Sequence, residues 1–262
     1  IDNIGLGDYT VTVTDANGCI DSETITVTEP LEYVSSYVTN VYNSFGVSCN
    51  GSTDGSIDVT VVGGTSPHSY LWSTGATTED LDSIGAGTYV ITATDTNGCP
   101  TTQTVTITEP DSLLSTYTTS DWNGYDIQCN GGDNGEITMG VTGGVDFLPY
   151  TYDIDGVSNG SNIFSSLSEG TYVITATDEN DCQTTQTVEM IAPDSSVVLI
   201  YTQSDYNGVG VSCYGDTNGF INTSVAGGVL DYSFLWSTGD TTSNIDNIGL
   251  GDYTVTVTDA NG

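Results

Sequence analysis

A repeat organises this chain. Residues 1–18 recur letter for letter at 245–262, so the sequence returns to its starting point after 244 residues. A shorter period lies inside the long one, because the segments 5–30, 85–110 and 168–193 match one another in sequence. Self-similarity at a fixed period of tens of residues is typical of array proteins, in which each repeat is one structural unit. We therefore expect a series of near-copies rather than one large core.

The proline that closes each repeat divides the chain into four segments. They are a leading fragment (1–30), module 1 (31–110), module 2 (111–193) and module 3 (194–262). The leading fragment is predicted to be the C-terminal part of a truncated module. Module 3 stops before the equivalent of residues 19–30, so it is predicted to lack its last strand. A chain that starts and stops inside a repeat is expected to be a section of a longer array.

The residue pattern within a module predicts β-structure. Tyr89, Ile91 and Ala93 alternate with Val and Thr, which is the period of a strand with one buried face. Gly63-Gly64 and Asn97-Gly98 provide turns between such runs. Short strands with frequent turns predict an all-β fold, with tandem immunoglobulin-like β-sandwich modules of about 80 residues in an elongated array.

Large aromatic residues identify the expected core. Trp72 and Trp236 occupy equivalent positions on the predicted third strand, where module 2 has Ile154. Three further aromatic residues share a position on the predicted long first strand: Trp122, Tyr42 and Tyr206. We favour core or edge packing for these three over an aromatic shelf for a ligand, because large aromatic side chains are mostly buried.

The charge of the chain excludes several partners. It has 35 acidic residues, one histidine and no lysine or arginine, for a net charge of −35. Binding a nucleic-acid backbone or an anionic lipid surface requires basic side chains, so neither partner is expected. No apolar run approaches the ~20 residues of a membrane helix, so no direct membrane insertion is expected.

The cysteines occur two per module, and we expect disulfides. The candidates are Cys19, Cys49, Cys99, Cys129, Cys182 and Cys213. Pairing within a module is the simplest arrangement, because each repeat then closes on itself. In an immunoglobulin-like topology, however, the two cysteine-bearing turns lie at opposite ends, which favours pairing across module junctions or between chains. Free thiols are the third alternative. The spacing does not match a zinc site.

Aspartate-rich turns raise the question of calcium, the one cofactor that the sequence leaves open. The candidate ligands are Asp15, Asp54, Asp95, Asp133 and Asp216. Calcium requires six to eight oxygen ligands, and no single turn supplies that many. We favour the alternative that Asp and Asn side chains bond to their own turn backbone while Gly adopts positive φ.

Candidate catalytic residues are almost absent. His68 follows Pro67 in a predicted turn and is expected to be a surface residue. No other feature points to a unique pocket, since each module nearly copies its neighbour. We therefore predict no catalytic site. The segments beginning at Asn50, Asn159 and Asn222 fit the acceptor pattern for N-glycosylation, which is weak support for modification.

Residues 47–99 contain a specific series of short motifs: V-S-C-N-G, D-G-S-I, G-G-T-x-P, Y-x-W-S-T-G-A-T-T, G-x-G-T-Y and D-x-N-G-C. Together these motifs resemble the SprB-type repeat of surface adhesins of gliding bacteria. Module 2 departs from this pattern at Ile154, at 179–182 and at 191–193. The resemblance implies no catalytic residues. It implies very long proteins, exported by the type IX pathway and displayed outside the cell as filaments for adhesion, gliding motility or cell contact.

Two functions follow as hypotheses. The first is a non-enzymatic segment of an extracellular adhesin or filament that gives extension and contact and bundles with identical chains. The second is a calcium-dependent carbohydrate-binding module that uses Asp turns and exposed Tyr side chains against a glycan or cell-surface target.

Overall fold

The structure is a computed structural model that describes residues 1–145 and 149–262. The chain divides into two compact units, residues 1–112 and residues 113–262. Among the described residues, no helix has the length and apolar character needed to cross a membrane. The regular elements of both units are β-strands, as the alternating pattern predicts.

The leading fragment and module 1 form three small sheets. Their strands are β1 (Gly7–Thr14), β2 (Ile20–Val27), β3 (Val34–Thr39), β4 (Gly55–Val62), β5 (Ser69–Trp72), β6 (Leu81–Ile84), β7 (Gly87–Thr94) and β8 (Pro100–Ile107). β1 and β2 pair as an antiparallel two-stranded sheet. Module 1 has two three-stranded sheets, β3-β4-β6 and β5-β7-β8, which form an immunoglobulin-like sandwich.

Modules 2 and 3 repeat this plan. Module 2 contains β9 (Asp111–Thr119), β10 (Gly135–Gly144), β11 (Thr151–Ile154), β12 (Val157–Asn159), β13 (Ile163–Leu167), β14 (Gly170–Thr177) and β15 (Gln183–Met190). Its sheets are β13-β10-β9 and β12-β11-β14-β15. Module 3 contains β16 (Val198–Gln203), β17 (Gly219–Ala226), β18 (Ser233–Trp236), β19 (Asn244–Ile248) and β20 (Val255–Thr258). Its sheets are β16-β17-β19 and β18-β20. The predicted all-β, tandem immunoglobulin-like fold is confirmed.

The core of module 1 lies between its two sheets. Ile57 and Val59 on β4 are buried, while Asp58 and Thr60, which alternate with them, are exposed, because successive side chains of a strand point to opposite faces. Trp72 on β5 is the largest buried side chain of the cluster. The tryptophan position predicted for the core is therefore a core position.

Module 2 fills the same space with different residues. Ile154, which replaces the tryptophan, is only partly buried against the core. Phe164 pairs with Ile137 on β10, whereas Leu81 is at the matching position in module 1 and pairs with Ile57. Phe164 is buried, so a larger side chain here accompanies the smaller one at position 154. The larger side chain at 164 offsets part of the volume lost at 154, and cores tolerate such exchanges better than uncompensated ones.

The aromatic residues predicted on a long first strand are not on that strand. β3 ends at Thr39, and Tyr42 pairs with Phe45 in an isolated bridge beyond it. In module 2, Trp122 pairs with Tyr125 in the same way. The chain turns there through residues of positive φ, including Asn43 and Asn123. Asparagine adopts this conformation more readily than most residues, so the strand prediction was wrong at these positions.

Candidate functional site

The Asp-x-Asn-Gly turn of module 1 is held by its own aspartate. Asp95 accepts hydrogen bonds from Cys99 N (2.8 Å) and, through its other oxygen, from Thr65 N (2.9 Å). The bond from Cys99 is the main reason that the pKa of Asp95 lies below its usual value. Asp178 and Asp259 accept equivalent bonds in modules 2 and 3. This carboxylate therefore ties two loops of each module together.

The other calcium candidates also serve local turns or lie exposed. Asp54 accepts a bond from Ser48 N (3.1 Å). Burial alone would raise the pKa of Asp54, but the bonds from Ser48 outweigh burial and lower it. The neutral Asn134 accepts the corresponding bond in module 2, so this position does not require a charge. Asp216 accepts a bond from the Ser212 hydroxyl, Asp15 accepts bonds from its own turn (Asn17 N and Cys19 N), and Asp133 is exposed.

These aspartates do not gather into a cation site in the part of the chain that the structure describes. No group of three or more His, Cys, Asp or Glu side chains that could hold a metal ion occurs among residues 1–145 and 149–262. The calcium assignment stays a prediction that only a binding measurement can test.

The Cys-Asn-Gly loop closes each complete module. Asn50 Nδ2 donates to the carbonyl of Pro110 (3.0 Å), and Asn130 Nδ2 donates to that of Pro193 (2.9 Å). Gly51 N also donates to the Glu109 carboxylate (2.7 Å). The loop near the start of a module is thus bonded to the Thr-Glu-Pro segment at its end.

The Trp-Ser-Thr-Gly turn is another local structure. Trp72 Nε1 donates to the Thr78 carbonyl (2.9 Å), and Trp236 Nε1 donates to the Thr242 carbonyl (2.8 Å). Beside this turn, Tyr70 donates to a carboxylate oxygen of Glu79 (2.8 Å). Partial burial, with a further contribution from Glu79, raises the pKa of Tyr70 to about 12. The motif residues of this turn therefore position the core tryptophan.

His68 is not the exposed surface residue that was predicted. It is partly buried, and its ring lies 5.1 Å from that of Tyr33, centroid to centroid. Burial raises the pKa of Tyr33, and the charge of Asp95 raises it further. The Tyr33 hydroxyl and His68 Nε2 are both buried without a hydrogen-bond partner in the described structure. The pair packs under the Gly63-Gly64 loop, since a Cβ on Gly64 would lie 2.9 Å from the Tyr33 ring.

The cysteines are used unequally. Cys49 and Cys182 are disulfide-bonded. The other four are free thiols: Cys19, Cys99, Cys129 and Cys213. Because Cys99 and Cys129 are free, the structure does not contain the within-module pairing.

Modules 2 and 3 meet through hydrogen bonds between their loops. Gln128 Nε2 donates to the Asn261 carbonyl (2.6 Å), and Asn261 Nδ2 donates to the Gln128 carbonyl (2.8 Å). Asn123 Nδ2 also donates to Asn261 Oδ1 (2.8 Å). Asn261 is buried. The Asp-Ala-Asn-Gly turn of module 3 is therefore bonded to the Cys-Asn-Gly loop region of module 2.

One family model matches all three modules. The SprB repeat model matches residues 46–77, 125–159 and 209–241. The chain contains three SprB repeats. Each match covers the first cysteine loop and the strand after it, and in modules 1 and 3 it extends through the tryptophan turn. Of the curated proteins, none matches this chain.

Solved structures resemble the SprB repeats of this chain in fold. One, described as a Ca²⁺-stabilised adhesin that helps an Antarctic bacterium reach out and bind ice, is 16% identical, with a TM-score of 0.35. The match covers 97% of this chain and 73% of that one. A tetra-tandem repeat from the extending region of a large adhesion protein is 14% identical over 98% of this chain and 72% of that one, with a TM-score of 0.28.

A third similar structure contains eight N-terminal immunoglobulin domains of the Down syndrome cell adhesion molecule. It is 10% identical over 97% of this chain, with a TM-score of 0.26, and this chain spans 58% of its length.

The three modules also share an exposed aromatic residue on an edge strand, which lies before the stretch that the SprB repeat model matches. Tyr37 lies on β3 and Tyr117 on β9, and each strand is at the edge of its three-stranded sheet. Their side chains are 41% and 43% exposed. The residue at the same position of module 3, Tyr201 on β16, is 64% exposed. The strands themselves are covered by the other sheet, because Gln186 on β15 donates to the Ser115 carbonyl of β9 (3.0 Å) and β3 lies against β8. The exposed aromatic side chains, rather than the strand edges, are therefore the surface on which another chain can pack.

Proposed function

We propose that this chain is a non-enzymatic section of a very long extracellular bacterial adhesin or filament, which gives extension and contact and associates laterally with identical chains. One observation carries the proposal: the same sandwich is built repeatedly, and the motif residues of its loops are used for bonds inside each module. Loop residues that are bonded within their own module support a role as a spacer rather than as an enzyme, because catalysis needs groups that converge on a substrate.

The exposed tyrosine side chains of β3 and β9 provide the contact surface in this proposal. A net charge of −35 repels neighbouring chains over roughly 8 Å at physiological salt, so lateral contact needs screening and an apolar surface that favours it. Tyr37 and Tyr117 supply such side chains at the same place in successive modules. Export by the type IX pathway and display at the cell surface are part of the same proposal, which the SprB repeats support.

Sedimentation velocity of the chain in a reducing buffer, at 50 mM and 500 mM NaCl, tests lateral association. We expect larger species at high salt and a shift back to monomer in the double variant Tyr37→Thr/Tyr117→Thr. Tyr214→Thr is the matched control, because Tyr214 is fully exposed but lies in a loop. A chain that stays monomeric at both salt concentrations, up to several hundred micromolar, would rule out lateral bundling.

A further inference from the structure

The outer face of the sheet β5-β7-β8 is a surface of threonine and apolar residues. On β7, Ile91 and Ala93 are buried in the core of module 1, so the residues that alternate with them face outward. On β8, Val105 and Ile107 are buried in the same way. The outward residues, which we call the threonine face, are exposed or half-buried: Ser69 and Leu71 on β5, Thr88, Val90, Thr92 and Thr94 on β7, and Pro100, Thr102, Thr104 and Thr106 on β8.

Strand pairing aligns the threonine face in rows across the sheet. Leu71, Thr92 and Thr102 form one row, because Thr92 is opposite Leu71 on one side and Thr102 on the other. Residues on one face repeat about every 6.8 Å along a strand and about every 4.8 Å between strands, so the threonines form a regular grid. Each hydroxyl group can both donate and accept a hydrogen bond. A second threonine face is therefore chemically complementary to the first.

The threonine face is uncharged on a chain that is otherwise strongly acidic. None of its residues is Asp or Glu, although the chain has 35 of them. The outer face of the other sheet of module 1 carries Asp58 and Asp82, which are both exposed. On the matching face of module 2, the exposed Glu189 alternates with the buried Val188 and Met190. Two copies of this chain repel each other least where both surfaces lack acidic residues, so charge favours a second copy as the partner of the threonine face.

The size of the threonine face limits how tightly two copies can bind. Two strands of eight residues and one of four, spaced about 4.8 Å apart, cover roughly 300 Å². A stable interface buries about 800 Å² on each partner. The threonine face is therefore too small to hold two free chains together. It can join chains that another contact already keeps close, because tethering raises their effective concentration.

We propose that the threonine face of module 1 is a second lateral contact surface, which packs against the threonine face of a second copy of this chain. This contact rests on the lateral association proposed above, in which the tyrosines of β3 and β9 first bring two chains together. Tyr37 lies on the other sheet of module 1, so the threonine face is a separate surface. A chain with one self-complementary surface forms pairs, whereas a chain with two such surfaces forms bundles of more than two.

Sedimentation velocity of the variant Thr104→Asp tests the threonine face. In a reducing buffer with 500 mM NaCl, we expect the parent chain to form species larger than a dimer. Thr104 is exposed near the middle of β8, so the substitution places an acid on each of the two faces that meet. Because like charges brought together across an interface cost several kcal/mol, the fraction of species larger than a dimer should fall at least about tenfold, and dimers should remain.

Two variants are the matched controls. Thr60→Asp adds the same charge at an exposed position on the outer face of β4, and Thr104→Ser keeps the hydroxyl group and adds no charge. Both should form the large species as the parent chain does. No loss of these species in Thr104→Asp, or an equal loss in Thr60→Asp, would overturn the proposal. Loss of the dimers as well in Thr104→Asp would mean that the threonines and the tyrosines form one surface, which also overturns it.

The size of the parent species separates this proposal from lateral association itself. A parent chain that stays monomeric would overturn lateral association and the threonine contact with it. A parent chain that forms dimers and nothing larger, up to several hundred micromolar, would overturn the second surface alone. Large species that are reduced to monomers by Tyr37→Thr/Tyr117→Thr and to dimers by Thr104→Asp would establish both surfaces.

Discussion

Gln128 and Asn261 exchange two hydrogen bonds across the boundary between modules 2 and 3, at 2.6 Å and 2.8 Å. Each bond joins a side-chain amide to a backbone carbonyl, and Asn261 is buried. We predict that Gln128→Ala and Asn261→Ala each destabilise the chain by about 1 kcal/mol, the usual net value of such a bond. Urea unfolding of the single variants measures this loss.

The double variant tests whether the two residues act together. We expect it to be less destabilised than the sum of the single variants, by about 0.5 kcal/mol or more, because residues in one network are not additive. Gln103→Ala is the control, since Gln103 makes only a 3.5 Å bond to its neighbour Thr104. Strict additivity would show that the junction bonds contribute independently.

Trp72 is predicted to be the most sensitive position of module 1. It is buried and donates its indole N–H to the Thr78 carbonyl, so Trp72→Ala removes both a large apolar volume and a bond. We expect a loss of about 3–5 kcal/mol in the free energy of unfolding. Leu71→Ala is the control on the same strand; Leu71 is 56% exposed, so a change within about 0.5 kcal/mol is expected. Equal losses of unfolding free energy in the two variants would contradict the assignment of Trp72 to the core.

The sequence predicts the fold class well because both the repeats and the alternation of apolar and polar residues can be read directly from it. Position 72 could be assigned to the core because it is tryptophan in two modules. The compensation at Phe164 could not be predicted, since it depends on which β13 residue faces the space left by Ile154. Cysteine pairing was equally out of reach, because it depends on distances between loops that are far apart in sequence.

The exchange between positions 154 and 164 can be tested by reversing it. Phe164→Leu leaves a void and Ile154→Trp overpacks the core of module 2, so each should cost about 1–3 kcal/mol. We expect the double variant to recover part of that loss, because together the changes restore the combination found in module 1. The mirrored pair Trp72→Ile and Leu81→Phe is the matched test. No recovery in either module would mean that the two positions do not share volume.

The stability of module 1 should depend on pH through Asp95. Its pKa in the folded chain is lowered, chiefly by the bond from Cys99 N, below the value of about 3.9 expected in the unfolded chain. The folded state therefore binds the Asp95 proton less readily than the unfolded state. The stabilisation is complete above about pH 4 and is lost as pH falls through the folded pKa.

Replacement of Asp95 by asparagine checks this dependence. We expect Asp95→Asn to be less stable than the parent at pH 7 and to approach it at pH 2, when urea midpoints are compared across that range. Asp82→Asn, at an exposed position on β6, removes the same charge and should leave the acid dependence unchanged. A constant gap between Asp95→Asn and the parent from pH 7 to pH 2 would contradict the assignment.

Salt should stabilise this chain, because nearly all of its side-chain charge is of one sign. With 35 acidic residues and no lysine or arginine, screening removes repulsion and breaks almost no attractive pair. We expect Tm to rise between 10 mM and 500 mM NaCl; each 1 kcal/mol gained corresponds to about 2–4 °C for a chain of this size. MgCl2 and CaCl2 at equal ionic strength provide the control. Equal shifts of Tm in the two salts would mean that screening alone acts. A larger shift with calcium that a chelator reverses would establish a calcium site at the aspartate turns.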